Sequence, residues 1–383
     1  MRESTMILMM MVGITMTVVF IMGVTPYVMR KNLHFGVMLP DRASELPEVK
    51  QWKKRFLRWS IGLGIAGILP LFLGFFMNLD EEALTNYIGI VGAITIVVIA
   101  IIHIILYFNF HNQAKALKAE RFSAEEIKAD ARIMVSTRFR NEKMIVSNRW
   151  LMTVGGLIIA VTALLPVIFY HQIPDIVPVN WNSSVATAFR PRSHTLFLII
   201  PAFQLGMFVI FIFVNYSLKA TKQMLRPKNA KASLEQNRAY RYAQSKMIVA
   251  MGIGLLLIAS SLQITMMIGT YEFARFMIWP IILYSAFPLI SIIYIAFKYG
   301  QGGERYNPVQ TADNDYDHDI IDDDAYWKWG MIYYNPNDPA IFIEKRFGIG
   351  TTVNFARWQA WAMLFGILAF TAIITIASVM MVQ

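Results

Sequence analysis

Ile173-Pro174-Asp175-Ile176-Val177-Pro178-Val179-Asn180-Trp181-Asn182 interrupts two long apolar runs, and its reading decides the fold. Pro174 and Pro178 each fix one φ angle and turn the residue before them away from helix, so the stretch is stiff and extended. Trp181 suits a membrane–water boundary, where the indole ring is apolar and its N–H stays wet. Such a segment between two bilayer-length apolar runs marks an outward-facing loop of a membrane protein. Two roles fit it. One is an interfacial anchor; the other is a recognition surface for a small or peptide ligand, formed by Pro174, Asp175, Pro178, Asn180, Trp181 and Asn182, with Arg190 and Arg192 beside them.

Composition supports the membrane reading. The 383 residues are 56% hydrophobic and only 16% charged, with a mean hydropathy of +0.47, too apolar for a soluble chain of this size. The net charge of +10 implies no nucleic-acid partner, because Lys and Arg collect in cytoplasmic loops for topological reasons. The absence of cysteine excludes disulfides, iron–sulfur clusters and thiol catalysis.

Eight segments reach the roughly 20 apolar residues that a crossing needs. They run from Thr5 to Thr25, Phe56 to Met77, Tyr87 to Phe108, Trp150 to Tyr170, Thr195 to Tyr216, Met247 to Gly269, Phe276 to Phe297 and Gln359 to Val382. The first reads as a retained helix, since no small-x-small cleavage site follows it. The connections 26–58, 109–149 and 217–246 hold eight, nine and eight basic residues, whereas the alternate ones, 78–86, 171–194 and 270–275, hold none, two and one. That bias puts both termini outside.

The expected class is therefore an all-α polytopic membrane protein with about eight transmembrane helices. Its parts are an N-terminal helix and loop (1–55), a first hairpin with a basic inner connection (56–149) and a second hairpin carrying the outer loop (150–246). A third hairpin (247–298), a cytoplasmic appendage (299–358) and a last helix (359–383) follow. The first two hairpins resemble each other: Arg58-Trp59 matches Arg149-Trp150, Leu69-Pro70 matches Leu165-Pro166, and Asn109-Phe110 matches Asn215-Tyr216. Parallel repeats of this kind are related by an axis along the membrane normal.

In the connection 109–149, Ser123-Ala124-Glu125-Glu126 fits a capping box, and Ile127, Ala131, Met134 and Val135 follow at helical spacing. That predicts a helix on the inner membrane surface or a solvated connecting helix. Gly300 to Thr311 reads as linker. The acidic run Asp313 to Asp324 comes next, then an aromatic segment from Tyr326 to Tyr334 and a double turn at Asn335-Pro336-Asn337-Asp338-Pro339. These read as a small folded appendage with Trp327, Tyr333, Tyr334, Asn335, Asp338 and Asn354 as candidate residues for docking a partner.

Metal binding is disfavoured, because after Asp313, Asp315 and Asp317 an EF-hand loop needs Gly where His318 stands and Glu where Asp324 stands. A solvated acidic run is the favoured reading, and pairing of that run with the basic inner loops is the alternative. Proton or cation coupling needs ionisable groups inside the membrane, yet the eight spans contain only Arg58 near an end and His103. Gln204, Gln263 and His103 read as interhelical hydrogen-bonding groups. No hydrolase, zinc-protease or P-loop motif occurs, so neither an enzyme nor a cofactor is expected.

The loop residues also carry a family resemblance. Pro174-Asp175-x-Val177-Pro178-x-Asn180-Trp181-Asn182 resembles the Pro-Asp-x-(Ile/Val)-Pro-x-His-aromatic-Asn signature of a bacterial domain of unknown function found in SdpI-like immunity proteins. The family's His is Asn180 here, and its following Gly-x-Pro-Asp is replaced by Ser183 to Phe189. A second resemblance, to another uncharacterised bacterial membrane domain, rests on several matching pieces. These are Asp322-Asp323-Asp324, Tyr326-Trp327-x-x-Gly330, Tyr333-Tyr334-Asn335-Pro336-x-Asp338-Pro339, Lys345-Arg346-Phe347-Gly348-x-Gly350-Thr351 and Asn354-Phe355. Phe35-Gly36-Val37-x-Leu39-Pro40 recurs in such proteins too. The resemblance implies a bacterial plasma-membrane protein with an immunity or signal-sensing role toward an extracellular peptide or envelope stress, and with a cytoplasmic regulator or membrane partner. The alternative is a permease component for an uncharged or lipidic substrate.

Overall fold

The computed structural model describes residues 3–122, 143–182, 185–222, 230–306 and 323–382. The expected surface helix at 123–135 and most of the acidic run 313–324 lie outside them. Eight α-helices stand among the described residues: α1 (Glu3–Val28), α2 (Pro47–Leu73), α3 (Glu81–Arg121), α4 (Asn148–Ile168), α5 (His194–Ala220), α6 (Ala230–Ile268), α7 (Tyr271–Tyr299) and α8 (Trp358–Val382). The first seven are long and apolar enough to cross a membrane. Over its described side chains, the apolar stretch of α8 runs Trp358–Ile373.

Four two-stranded antiparallel ribbons join the helices: β1–β2 (Leu33–His34, Val37–Met38), β3–β4 (Ile176–Asn182, Val185–Pro191), β5–β6 (Trp327–Lys328, Ile332–Tyr333) and β7–β8 (Phe342–Glu344, Thr351–Val353). The all-α expectation is thus corrected at the connections. Chain outside a helix satisfies its backbone groups by pairing with itself.

Helices α1, α2 and α3 pack as one group, and α4 to α7 as another, with α1 also touching α7. Small residues let the backbones approach, since lipid tails give apolar helix faces no reason to associate without close packing. A Cβ on Gly64 would stand 3.0 Å from Val19 of α1, and one on Gly155 would stand 2.4 Å from the Phe208 ring of α5. Gln204 Nε2 donates to the Leu256 carbonyl and to Ser260 Oγ, both at 2.9 Å, and Gln263 Nε2 donates to the Phe197 carbonyl at 3.0 Å. Both glutamines bridge helices as expected. His103 differs: Nδ1 bonds the Ile99 carbonyl of its own helix at 2.9 Å, because the ring is packed edge-on against Phe56.

The expected spans stop short of the observed helices. At 41 residues, α3 is ~60 Å long, about twice the hydrocarbon thickness. Hydropathy ends where lipid ends, but Ala114, Ala116, Lys118, Ala119 and Glu120 are good helix formers and carry the helix on. Likewise α2 starts at Pro47, suited to a first helical turn, and α6 starts at Ala230. These overshooting ends and the segment 323–357 build a head at the end of the molecule that carries the basic connections. Its core contains Phe35, which is fully buried, with the rings of Phe110 and Phe56 at 5.1 and 5.4 Å. The start of the expected linker also belongs to this head. Gln301 is buried and accepts from the Arg30 amide at 3.1 Å, and positive φ at Gly302 (+67°) and Gly303 (+89°) turns the chain there.

Candidate functional site

The outer loop is a β-ribbon seated on helix ends. Ile176, Val177 and Pro178 pair with Pro191, Arg190 and Phe189, and the register shifts after Pro178 and again after Asn180. A proline has no N–H for the ladder, so an irregularity at that point is the expected accommodation. Ile173 and Val177 are buried against Leu196, Phe197 and Met266. Pro178 is buried too and lies over Gly269, where a Cβ would stand 3.4 Å from its ring.

Of the residues expected to meet a ligand, Pro174, Asp175 and Asn180 are exposed, whereas Pro178 faces inward as scaffold. Trp181 and Asn182 stand in register with Ala186 and Val185. Arg192 was expected only to line the loop surface, and it turns out to close the ribbon's base. Its guanidinium donates to the Ile173 carbonyl at 2.6 Å and the Tyr170 carbonyl at 3.0 Å, and pairs with Asp175 at 2.9 Å. It also lies 5.0 Å over the Tyr170 ring, which stacks on His194 at 4.1 Å. The Asp175 side chain is 88% exposed, so the ion pair itself adds little. The carbonyl bonds and the stacked rings do the holding.

At the opposite end, five of the six candidate docking residues, Trp327, Tyr333, Asn335, Asp338 and Asn354, are buried inside the appendage, and only Tyr334 is exposed. Asn354 accepts from the Asn335 amide at 3.0 Å and donates to the Asn335 and Asp338 carbonyls at 2.9 and 3.1 Å. Asp338 accepts from Tyr333 Oη at 2.9 Å and from Lys222 Nζ at 2.7 Å. Burial pushes the Asp338 carboxyl up, but the bonds from Lys222, the Ala340 amide and Tyr333 outweigh it and hold it below the ordinary carboxylate value. Burial pushes the Tyr333 phenol well up.

Five clasps fix the appendage to the helix ends and the connections beside them. Arg30 pairs with Glu344 at 2.5 Å, and Gln301 donates to the Lys345 carbonyl. Lys222 donates its backbone N–H to the Phe342 carbonyl at 2.9 Å. Arg346 pairs with Asp323 and Asp324, lies 5.2 Å over the Trp327 ring and donates to the Gly36 carbonyl at 2.9 Å. Lys118 at the end of α3 also meets Asp324, at 2.5 Å. Burial would raise the Asp324 carboxyl, and the charges of Arg346 and Lys118 overcome it and keep the group low. At the described end of the acidic run, Asp324 thus meets Lys118 of a basic inner connection, whereas Asp323 pairs with Arg346 of the appendage itself. Among the described residues, no group of three or more His, Cys, Asp or Glu gathers as a metal site.

Fold and site together describe a mostly helical, multi-pass membrane protein with a small ribbon at one end and a packed head at the other. A family model described as a family of unknown function, DUF5808, matches residues 336–361, which run from the double turn of the appendage into the start of α8. No curated protein and no solved structure matches the chain.

Proposed function

We propose that this is a non-enzymatic plasma-membrane protein of eight crossings, an immunity or sensing protein of SdpI-like type. Its outer ribbon meets an extracellular peptide or envelope signal, and its head docks a cytoplasmic regulator or membrane partner. The described parts of the basic connections lie at the head end, and the positive-inside rule supports reading that end as cytoplasmic, with both termini outside. One observation carries the reading. Helix α6 runs unbroken for 39 residues, ~58 Å, between the two candidate surfaces. Its outer end packs Met266 beneath the ribbon, and at its inner end Arg241 donates to the Leu218 and Thr221 carbonyls. Deleting the gene should raise sensitivity to an extracellular antimicrobial peptide, and Asp175→Ala with Trp181→Ala should reproduce that loss at normal expression. Unchanged sensitivity to every peptide tested, with no partner co-purifying, contradicts the proposal.

A permease role is the second reading. It draws on the buried polar node between α4, α5 and α6, where Thr162 and Ser260 lie 2.6 Å apart and Gln204 Oε1 has no partner among the described residues. Substrate flux in proteoliposomes that is lost in Gln204→Leu supports it.

A further inference from the structure

A cleft of about 760 Å³ opens on the head between the β1–β2 turn, one face of α3 and the turn after β5. Phe108, His111, Lys115, Trp327 and Trp329 line it. A second groove of about 590 Å³ shares Lys115, Asp324, Trp327 and Trp329 with it and continues past Lys328 to Tyr334.

Three features define what fits there. The first is depth. The Phe56 ring of α2 packs against His103 and Phe110 of α3 at 6.1 and 5.9 Å, so Phe108 lies level with the part of α2 just before Trp59. Trp59, Trp150 and Trp358 are 60, 52 and 73% exposed at the head-side ends of the apolar stretches of their helices, the positions of an aromatic belt. The cleft therefore sits at the headgroup level of one leaflet. The second is charge. Asp324 is committed to Arg346 and Lys118, whereas Lys115 and Lys328 have no carboxylate within ion-pair distance among the described residues. The cleft is left with a cationic excess. The third is its apolar wall. Trp329 is 63% exposed, set edge-on to Phe108 at 6.3 Å, and held there with φ at +54°, a left-handed conformation costly for a bulky residue. An exposed indole fixed in this way at the membrane boundary, beside two uncommitted ammonium groups, fits an anion that carries an apolar body.

We infer that this cleft, together with the groove that continues it past Lys328, binds the phosphate headgroup of an anionic phospholipid from the leaflet on the head side. Lys115 and Lys328 meet the phosphate, and Trp329 and Phe108 lie along the glycerol and upper acyl chain. Juxtamembrane lysines favour anionic over zwitterionic lipid, and their removal is a surface change that leaves the packed interior intact.

The test uses purified full-length protein, stripped of lipid in detergent and offered equal amounts of phosphatidylglycerol and phosphatidylcholine, with retained lipid counted by native mass spectrometry. The wild type should retain phosphatidylglycerol with about tenfold preference. Lys115→Gln with Lys328→Gln should lose that preference. Lys298→Gln with Lys345→Gln, an equal loss of charge outside the cleft, should keep it. A preference that survives in the cleft variant, or falls equally in both, overturns the inference. So does displacement of the lipid by glycerol phosphate at equal concentration, which would make the cleft a site for a soluble phosphate ester.

Discussion

Arg346 donates to the carbonyl oxygen of Gly36 at 2.9 Å, closing the N-terminal ribbon onto an appendage that lies almost the whole chain away. The same turn is pressed backbone to backbone against Gly330: a Cβ on Gly36 would stand 2.7 Å from the Gly330 oxygen and 2.2 Å from Tyr107 Oη, with φ at +79°. The head is one interlocked unit, and its parts should fail together.

Arg346→Ala leaves both Asp323 and Asp324 without its guanidinium. Breaking a buried pair by removing one partner costs about 3–5 kcal/mol. Chymotrypsin should then cut rapidly at Trp327 and Tyr333, which are buried in the wild type. Gly36→Val, which touches no charge, should open the same sites through backbone strain of about 1–3 kcal/mol. Equal protection in either variant argues against the interlock.

Acid should loosen the head before Asp324 and Asp338 are protonated. Burial, and then the nearby charge of Lys53, holds the His34 imidazole down to about 3. The unfolded chain takes up that proton near pH 6.5, so the neutral ring's contribution is complete above this value and declines as pH falls toward 3. At pH 5 the loss is about 2 kcal/mol. Asp324 and Asp338, both held below their ordinary value of 3.8, give up their contribution only at lower pH. The thermal midpoint should fall between pH 7 and 5 in the wild type and fall much less in His34→Leu.

Arg192→Ala should release the ribbon's base without disturbing insertion. Hydrogen exchange at the amides of 176–182 and 185–191 should quicken by about tenfold, the equivalent of roughly one or two neutral hydrogen bonds. Asp175→Ala, which removes only an exposed ion pair, should leave those rates nearly unchanged.

Helix positions were readable because bilayer length is a strong constraint, and seven expected spans coincide with helices of crossing length. Their inner ends were not, since a helix that leaves the lipid keeps its backbone bonds while losing the apolar signal, as α3 does beyond Phe108. The matched Leu-Pro pairs both fall inside helices, at Pro70 and Pro166, but the matched exits differ in role. Asn215 is buried and donates to Asn148 at 2.6 Å, whereas exposed Asn109 accepts from Gln113 of its own helix. At the outer loop the stiffness of Pro174 and Pro178 was legible, but the turn-prone Asn182-Ser183-Ser184 does not by itself announce a partner strand from Val185. The buried docking candidates show the limit of reading aromatic density as surface. Trp327 and Tyr333 looked like a docking face because their hydrogen-bond partners Asp323 and Asp338 were invisible as partners before folding.

The most direct test of a ribbon outside and a head inside uses the chain's lack of native cysteine. Asn180→Cys and Lys328→Cys should be made singly and treated on intact cells with a membrane-impermeant maleimide. The account predicts labelling of Asn180→Cys on intact cells and of Lys328→Cys only after permeabilisation. Labelling of both from outside, or of Lys328→Cys alone, contradicts it.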